Sequence, residues 1–275
     1  MKCLLVLILI AVSTYHTYAS FPNNDLLIDS REKSLDTMTE ASFNETLKSF
    51  EDRWQNYVKE KKNKKLIVQG KWDSSRVNAH ATRDDDNNPM IVIHGGIARY
   101  ELMNEDSLKL ILCHELGHHF GGAPKSLRGK SSRRSWSSAE GQADYFATSF
   151  CMGKTLVERD WDLYEKPLND ELVLGLVECN TFKCKRILKA SLIVSKMFAS
   201  LKFSWKEPSF ESRASREVLK TNYKHPEPQC RLDTYVAGFK CGRHRELEFD
   251  DQDPFYVSCA QEWSRPLCWF SPNKY

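Results

Sequence analysis

The chain has 275 residues, of which 41% are hydrophobic and 28% charged, and its 40 basic and 37 acidic side chains leave a net charge of +3. That length supports a domain with a sizeable core. The composition excludes a polytopic membrane protein and a low-complexity fibre, and so slight a basic excess is no nucleic-acid footprint.

At the N-terminus, Lys2 precedes the apolar run Leu4 to Val12 and a polar stretch, Ser13 to Ser20. This is the pattern of a secretory signal peptide, residues 1–19, with small Thr17 and Ala19 placing cleavage after Ala19. The apolar run is too short to span a bilayer comfortably, and no later segment is long and apolar enough to do so. The expectation is an exported chain, periplasmic or secreted. Loss of the signal removes Cys3 and leaves eight cysteines, at 113, 151, 179, 184, 230, 241, 259 and 268. An even count in an exported chain reads as disulfides, and no pair has CxxC spacing. Loop closure favours the local pairs Cys230–Cys241 and Cys259–Cys268.

Residues 20–40 are polar and read as a flexible linker, leaving 41–275 as a single domain. Ser42 and Glu45 form a capping box for a helix over 42–60, with Phe43, Leu47, Phe50, Trp54 and Val58 on its buried face. Strands are expected at 66–68, 76–82 and 90–94. The acidic turn Asp84 to Pro89 joins the last two. Its carboxylates suit calcium, but no EF-hand loop follows. A helix from Asn104 or Asp106 is stopped by Gly121, Gly122 and Pro124. After a polar loop, helices are expected from Ser137–Ser138 to Cys151, at 169–178 and at 183–202. Residues 206–275 read as irregular structure stapled by disulfides.

The chemistry sits at His114-Glu115-Leu116-Gly117-His118. On a helix, His114 and His118 project from one face and can grip one metal ion. Glu115 is rotated by about 100° from His114, so it reaches a water on the metal without occupying a ligand position. A catalytic zinc needs a third protein ligand and an open fourth position. The metzincin continuation fails, because Pro124 stands where its third histidine belongs. The alternative is a glutamate from a second helix, and Glu140-Gly141-Gln142-Ala143-Asp144 lies 22 residues beyond His118. Glu140 can ligate, and Asp144, four residues on, can accept a hydrogen bond from the outer nitrogen of a ligand histidine. Read alone, Glu140 would be an ordinary cap partner of Ser137. His119 lies off the metal face and reads as a surface or helix-end packing residue. Between the two motifs, Lys125, Arg128, Lys130, Arg133 and Arg134 form a basic loop with no acidic residue through Ala139. It is either a solvated loop or a cleft border that concentrates acidic peptides.

Four stretches resemble the gluzincin metallopeptidases of the CAAX prenyl endopeptidase and HtpX-like group. They are Asn78-Ala79-His80-Ala81; Ile91 to Ile97 with Asn104-Glu105-Asp106; the two metal motifs; and His225-Pro226-Glu227-Pro228-Gln229-Cys230-Arg231. The likeness is to soluble, exported members. The resemblance implies an α+β, zincin-like domain with a small, mainly antiparallel sheet packed on helices and one zinc held between two helices by His114, His118 and Glu140. It implies that the strand around 78–82 is a sheet edge where a peptide substrate adds, that Asp144 supports His114, and that His225 or Arg231 stabilises the oxyanion. His80 departs from the family pattern, and the cysteines are additional to it. The expected activity is zinc-dependent endoproteolysis, with Glu115 as base and a protein or peptide as substrate. The alternative is an exported zinc-containing binding or chaperone-like module.

Overall fold

The computed structural model describes residues 18–19, 21–22, 24–29, 37–127, 133–156, 179, 181–202, 204–243, 247–256, 259 and 264–274. The body of the expected signal peptide, the helix expected at 169–178, Arg128 and Lys130 lie outside them.

Helix α1 (Glu40–Lys62) begins two residues before the expected start. Its box is made by Thr39 and Ser42, not Ser42 and Glu45. Thr39 Oγ1 accepts from Ser42 N–H at 3.1 Å, and Ser42 Oγ accepts from Thr39 N–H at 3.0 Å. The apolar face is buried as its 3.6-residue period requires. Asn63 ends the helix in the left-handed region at φ 51°.

A four-stranded sheet comprises β1 (Tyr18–Ala19), β2 (Ile67–Lys71), β3 (Ala79–Arg83) and β4 (Pro89–His94), in the order β1-β3-β4-β2. β2 runs parallel to β4, and the other two pairings are antiparallel. The acidic turn between β3 and β4 is held by Asp84, whose Oδ1 accepts from Asn88 N–H at 2.7 Å and Asp86 N–H at 3.0 Å. The turn amides therefore occupy a carboxylate that the sequence left open to calcium. Ala79, Ala81, Ile91 and Ile93 form one buried face, and the sheet packs on helix α3 (Glu105–Phe120), which Asn104 caps.

The reading of 20–40 as a free linker is corrected for the described part of that segment. Phe21 is in the core, and Arg99 donates to the carbonyls of Ile28, Trp72 and Ser74, tying the segment to the sheet. β1 pairs with the strand around 78–82 at Ala81 and His80, but it belongs to the expected signal peptide, so cleavage after Ala19 would leave that strand at the sheet edge. The polar composition of residues 20–40 hid their contacts, which are made chiefly by the backbone.

After the one-turn α2 (Gly95–Ala98) and α3, the basic loop folds as a hairpin of β5 (Lys125–Leu127) and β6 (Arg134–Ser138). Then follow α4 (Glu140–Phe146), a π-helical turn (Ala147–Cys151), α5 (Met152–Thr155), α6 (Phe182–Ser200) and α7 (Pro228–Gly242). α7 corrects the expectation of irregular structure beyond 206. Pro228 sits in its first turn, where a missing N–H is harmless, and Leu232, Tyr235, Val236 and Phe239 are buried.

The eight cysteines pair as 113–151, 179–184, 230–268 and 241–259, with Cα separations of 5.5, 5.6, 5.9 and 5.7 Å. The two local pairs expected from loop closure do not form. Cys230 and Cys241 lie on one helix, separated by a rise of roughly 16 Å, far beyond disulfide reach. The whole is an α+β fold with small sheets packed on helices.

Candidate metal centre

α3 carries His114 and His118 one turn apart, and α4 crosses it at Gly117. A Cβ at Gly117 would lie 2.9 Å from both the Cα and the carbonyl oxygen of Ala143, so only glycine permits this approach. The Cys113–Cys151 disulfide ties α3 to the π-helical turn that continues α4. With the two helices held this close, Glu140 at the start of α4 faces both histidines. His114 Nε2 is 3.3 Å from Glu140 Oε2, and His118 Nε2 is 3.6 Å from Glu140 Oε1. One ligand atom from each of the three residues falls within a 4.8 Å group, and all three residues are buried. Glu140 does not act as a cap partner of Ser137, since Ala139 is the N-cap and makes no side-chain cap bond.

The outer nitrogens fix the tautomers. His118 Nδ1 lies 2.9 Å from the Ser138 carbonyl, which only accepts, so Nδ1–H donates and the neutral ring presents the Nε2 lone pair to the cluster. His114 Nδ1 lies 2.7 Å from Asp144 Oδ1, with the same consequence. His114 Nε2 and Glu140 Oε2 are buried and face each other at 3.3 Å with no other hydrogen-bond partner. Buried polar atoms that converge at metal-ligand spacing with no partner outside the group fit a cation in their midst.

Electrostatics agree. Burial disfavours the charged form of His114, but the charge and hydrogen bond of Asp144 outweigh it and lift its pKa to about 9. Burial pushes His118 down to about 4 against the pull of Glu140. Burial would raise Glu140, yet the imidazoles of His225, His118 and His114 hold its carboxyl well below the usual range. A cation bound here would replace the proton that His114 otherwise carries at Nε2.

The residues expected at the site are brought together, with one change of position. His225 lies beside the cluster, its Nε2 3.6 Å from Glu140 Oε1 and its side chain 21% exposed. Arg231 is fully buried on the opposite side. Its Nη2 donates to Asp144 Oδ1 at 2.6 Å and sits 3.2 Å from His114 Nδ1. The expected oxyanion contact is therefore corrected for Arg231, whose guanidinium faces the outer nitrogen of His114 and not the cluster. Its helix, α7, places it behind α4, where it compensates a buried carboxylate.

Sequence reasoning missed three supports. Tyr235 is fully buried and interacts electrostatically with Asp144 and Arg231, and its spacing of four residues from Arg231 on α7 was the available signal. Ser138 acts through its carbonyl, which no side-chain pattern announces. Trp136 stacks on His119 at 4.6 Å, with Arg83 over its ring at 4.5 Å, so His119 is a buried packing residue and not a surface one, and the stack fixes β6 against the sheet. In the basic hairpin, Lys125 is buried against Asp251 at 2.6 Å and Arg134 covers the Tyr223 ring at 4.7 Å. The first charge is thus neutralised internally.

No protein-family model, curated protein or solved structure matches this chain. The described residues contain no helix long and apolar enough to cross a membrane.

Proposed function

We propose that this chain is a zinc-dependent endopeptidase of the gluzincin type, exported to an oxidising compartment, with a zincin-like arrangement of α3 and α4 around one zinc. The observation that carries the reading is the buried His114/His118/Glu140 group, with Glu115 adjoining one of its histidines in the chain. Two neutral imidazoles and one carboxylate match the donor set of a hydrolytic zinc site with an open position. The four cysteine cross-links support the oxidising compartment.

Zinc in this cluster would lower the pKa of a bound water to about 7 and polarise the scissile carbonyl. Glu115 accepts the proton of the attacking water and passes it to the leaving amine, so both proton transfers use one carboxylate. His225, partly exposed beside Glu140, donates to the carbonyl oxygen as charge develops there. Asp144 keeps His114 in the ligating tautomer, and Arg231 keeps Asp144 ionised. Glu115 itself binds no metal in this scheme, which separates hydrolysis from metal retention.

The test is zinc content and casein cleavage for wild type and Glu115→Gln. Both should hold one zinc per chain, and the variant should lose on the order of 10²–10⁴-fold in turnover. Zinc-free native protein, or a Glu115→Gln variant that hydrolyses normally, would reject the reading.

A further inference from the structure

The outer edge of β3 is taken by the chain's own N-terminal segment. Tyr18 and Ala19 pair antiparallel with Ala81 and His80. Further on, Val77 N–H donates to Leu26 O at 3.2 Å, Leu27 bridges Arg76, and Ile28 N–H donates to Ser75 O at 2.8 Å. The segment therefore runs back along the chain from Ala81 to Ser75, in the manner of an added strand. Asn24 sets its path, donating from Nδ2 to Pro22 O and Val77 O and accepting at Oδ1 from Leu26 N–H.

Phe21 is the anchor. It is 2% exposed and stacks on Phe198 at 4.7 Å. Phe198 also lies under the Arg231 guanidinium, 3.7 Å from its centroid. Arg231 in turn holds Asp144 against His114. An aromatic side chain carried by the added segment is thus linked through two contacts to the support of a candidate metal ligand. Cleavage after Ala19 would remove β1 and leave Phe21 and Asn24 in the mature chain.

We propose that residues 21–22 and 24–28 form an intramolecular strap that stays in the exported chain, occupies the edge at Ser75–Val77 next to β3, and obstructs the register in which an extended peptide would add along β3. The edge accepts peptides with an aromatic residue at the place of Phe21, and the strap limits access to the metal cluster. The purpose assigned to the edge rests on the peptidase reading. The occupancy and its competition with a peptide do not. A short tether presents the strap at a millimolar effective concentration, so a free peptide competes poorly until the strap is loosened.

The experiment uses the zinc-loaded mature chain from Ser20 carrying Glu115→Gln, so that no turnover occurs, and a fluorescent peptide Thr-Tyr-Ala-Ser-Phe-Pro-Asn-Asn-Asp-Leu. Phe21→Ala and Asn24→Ala are added separately, and binding is read by anisotropy. Both should bind the peptide at least about tenfold tighter than the parent, because the strap loses its buried ring or its three side-chain bonds. Replacing the peptide's Phe by Ala should abolish the gain. Asn24 lies outside the core, so its variant remains informative if Phe21→Ala does not fold. In the parent protein, peptide at millimolar concentration should speed hydrogen exchange at the Ile28 amide. Asn24→Ala affinity within twofold of the parent, or Ile28 exchange unmoved by the peptide, overturns the proposal. Hydrolysis is not read, so failure of the peptidase reading leaves the result standing. Wild-type hydrolysis with unchanged peptide affinities removes the strap alone.

Discussion

His114, His118 and Glu140 are placed by spacings of a few residues along two helices, whereas the C-terminal stretch reaches the same place from 123 residues away. Arg265 donates from Nε to Gln142 Oε1, and Trp269 packs over Gly141, each beside Glu140. Gln142 passes the contact on, donating to Gly121 O at 2.6 Å at the end of α3. The first region is ordered by helical periodicity, and the second by a disulfide, a buried arginine and one indole. The difference teaches where each kind of information lies. Ligands that share a helix face can be read from local spacing, but the groups that compensate their buried charge come from wherever the chain returns.

The largest effect should follow from breaking that compensation. Arg231→Ala leaves the Asp144 carboxylate buried without its cation. The expected loss is about 3–5 kcal/mol in urea unfolding, because an uncompensated buried charge costs more than the pair contributes. An unchanged urea midpoint would show that Asp144 does not depend on the long-range partner. Next comes the tether of the C-terminal stretch. Cys230→Ser with Cys268→Ser opens a link of sequence separation 38 between α7 and the tail. The expected cost is about 2–4 kcal/mol, with zinc stoichiometry retained, since the ligands keep their own spacing. Loss of zinc together with the disulfide would erase the distinction between the two regions.

That distinction also accounts for what the sequence disclosed. The apolar stripe of α1, the α3 helix with its Asn104 cap and the Gly121 stop, and the Glu140 to Asp144 spacing were legible because each is a local pattern. The partners of Cys230, Cys241, Cys259 and Cys268 were not, because loop-closure entropy ranks short loops first and takes no account of two cysteines fixed along one rigid helix, whereas Cys179–Cys184, separated by 5 residues, does follow that ranking. Arg231 was legible as a site residue but not as to its side, since the direction of α7 relative to α4 is a tertiary fact. The strap was misread for a related reason. Its polar residues looked like a linker, while its order rests on backbone pairing, on the buried Phe21, on Asn24 and on the partly buried Leu26 and Ile28.

A third, smaller effect tests whether the tail presses on the metal helix. A Cβ at Gly141 would lie 2.2 Å from the Trp269 ring, which is fully buried and cannot swing away. Gly141→Ala should cost about 1–3 kcal/mol by overpacking and should weaken zinc retention, because Glu140 is the preceding residue. Trp269→Leu in the same chain should recover part of the loss by vacating the space. Absence of that recovery would place the strain elsewhere.

The smallest effect concerns the basic hairpin, where the sequence suggested free positive charge. Lys125 on β5 is buried against Asp251, which Lys62 also approaches at 3.1 Å, while the Asp251 side chain is half exposed. Burial would raise the Asp251 pKa, but Lys125 and then Lys62 outweigh it and hold the carboxyl below its ordinary value. A depressed carboxylate stabilises the fold above the unfolded pKa, about 3.9, and that contribution disappears as pH falls through the folded value. Asp251→Asn should therefore lower stability at pH 7 by about 1 kcal/mol or less, a figure limited by solvent screening at the exposed half. The gap between variant and wild type should close as both are acidified below about pH 4, the region in which the wild-type carboxylate takes up its proton. The same variant should make Lys125 the one charge of the hairpin whose partner has been removed, so any preference for acidic peptides should increase and should weaken with salt. A stability gap that is equal at pH 3 and pH 7 would assign the stability effect to packing, and an unchanged peptide preference would leave the Lys125 charge without a part in substrate choice.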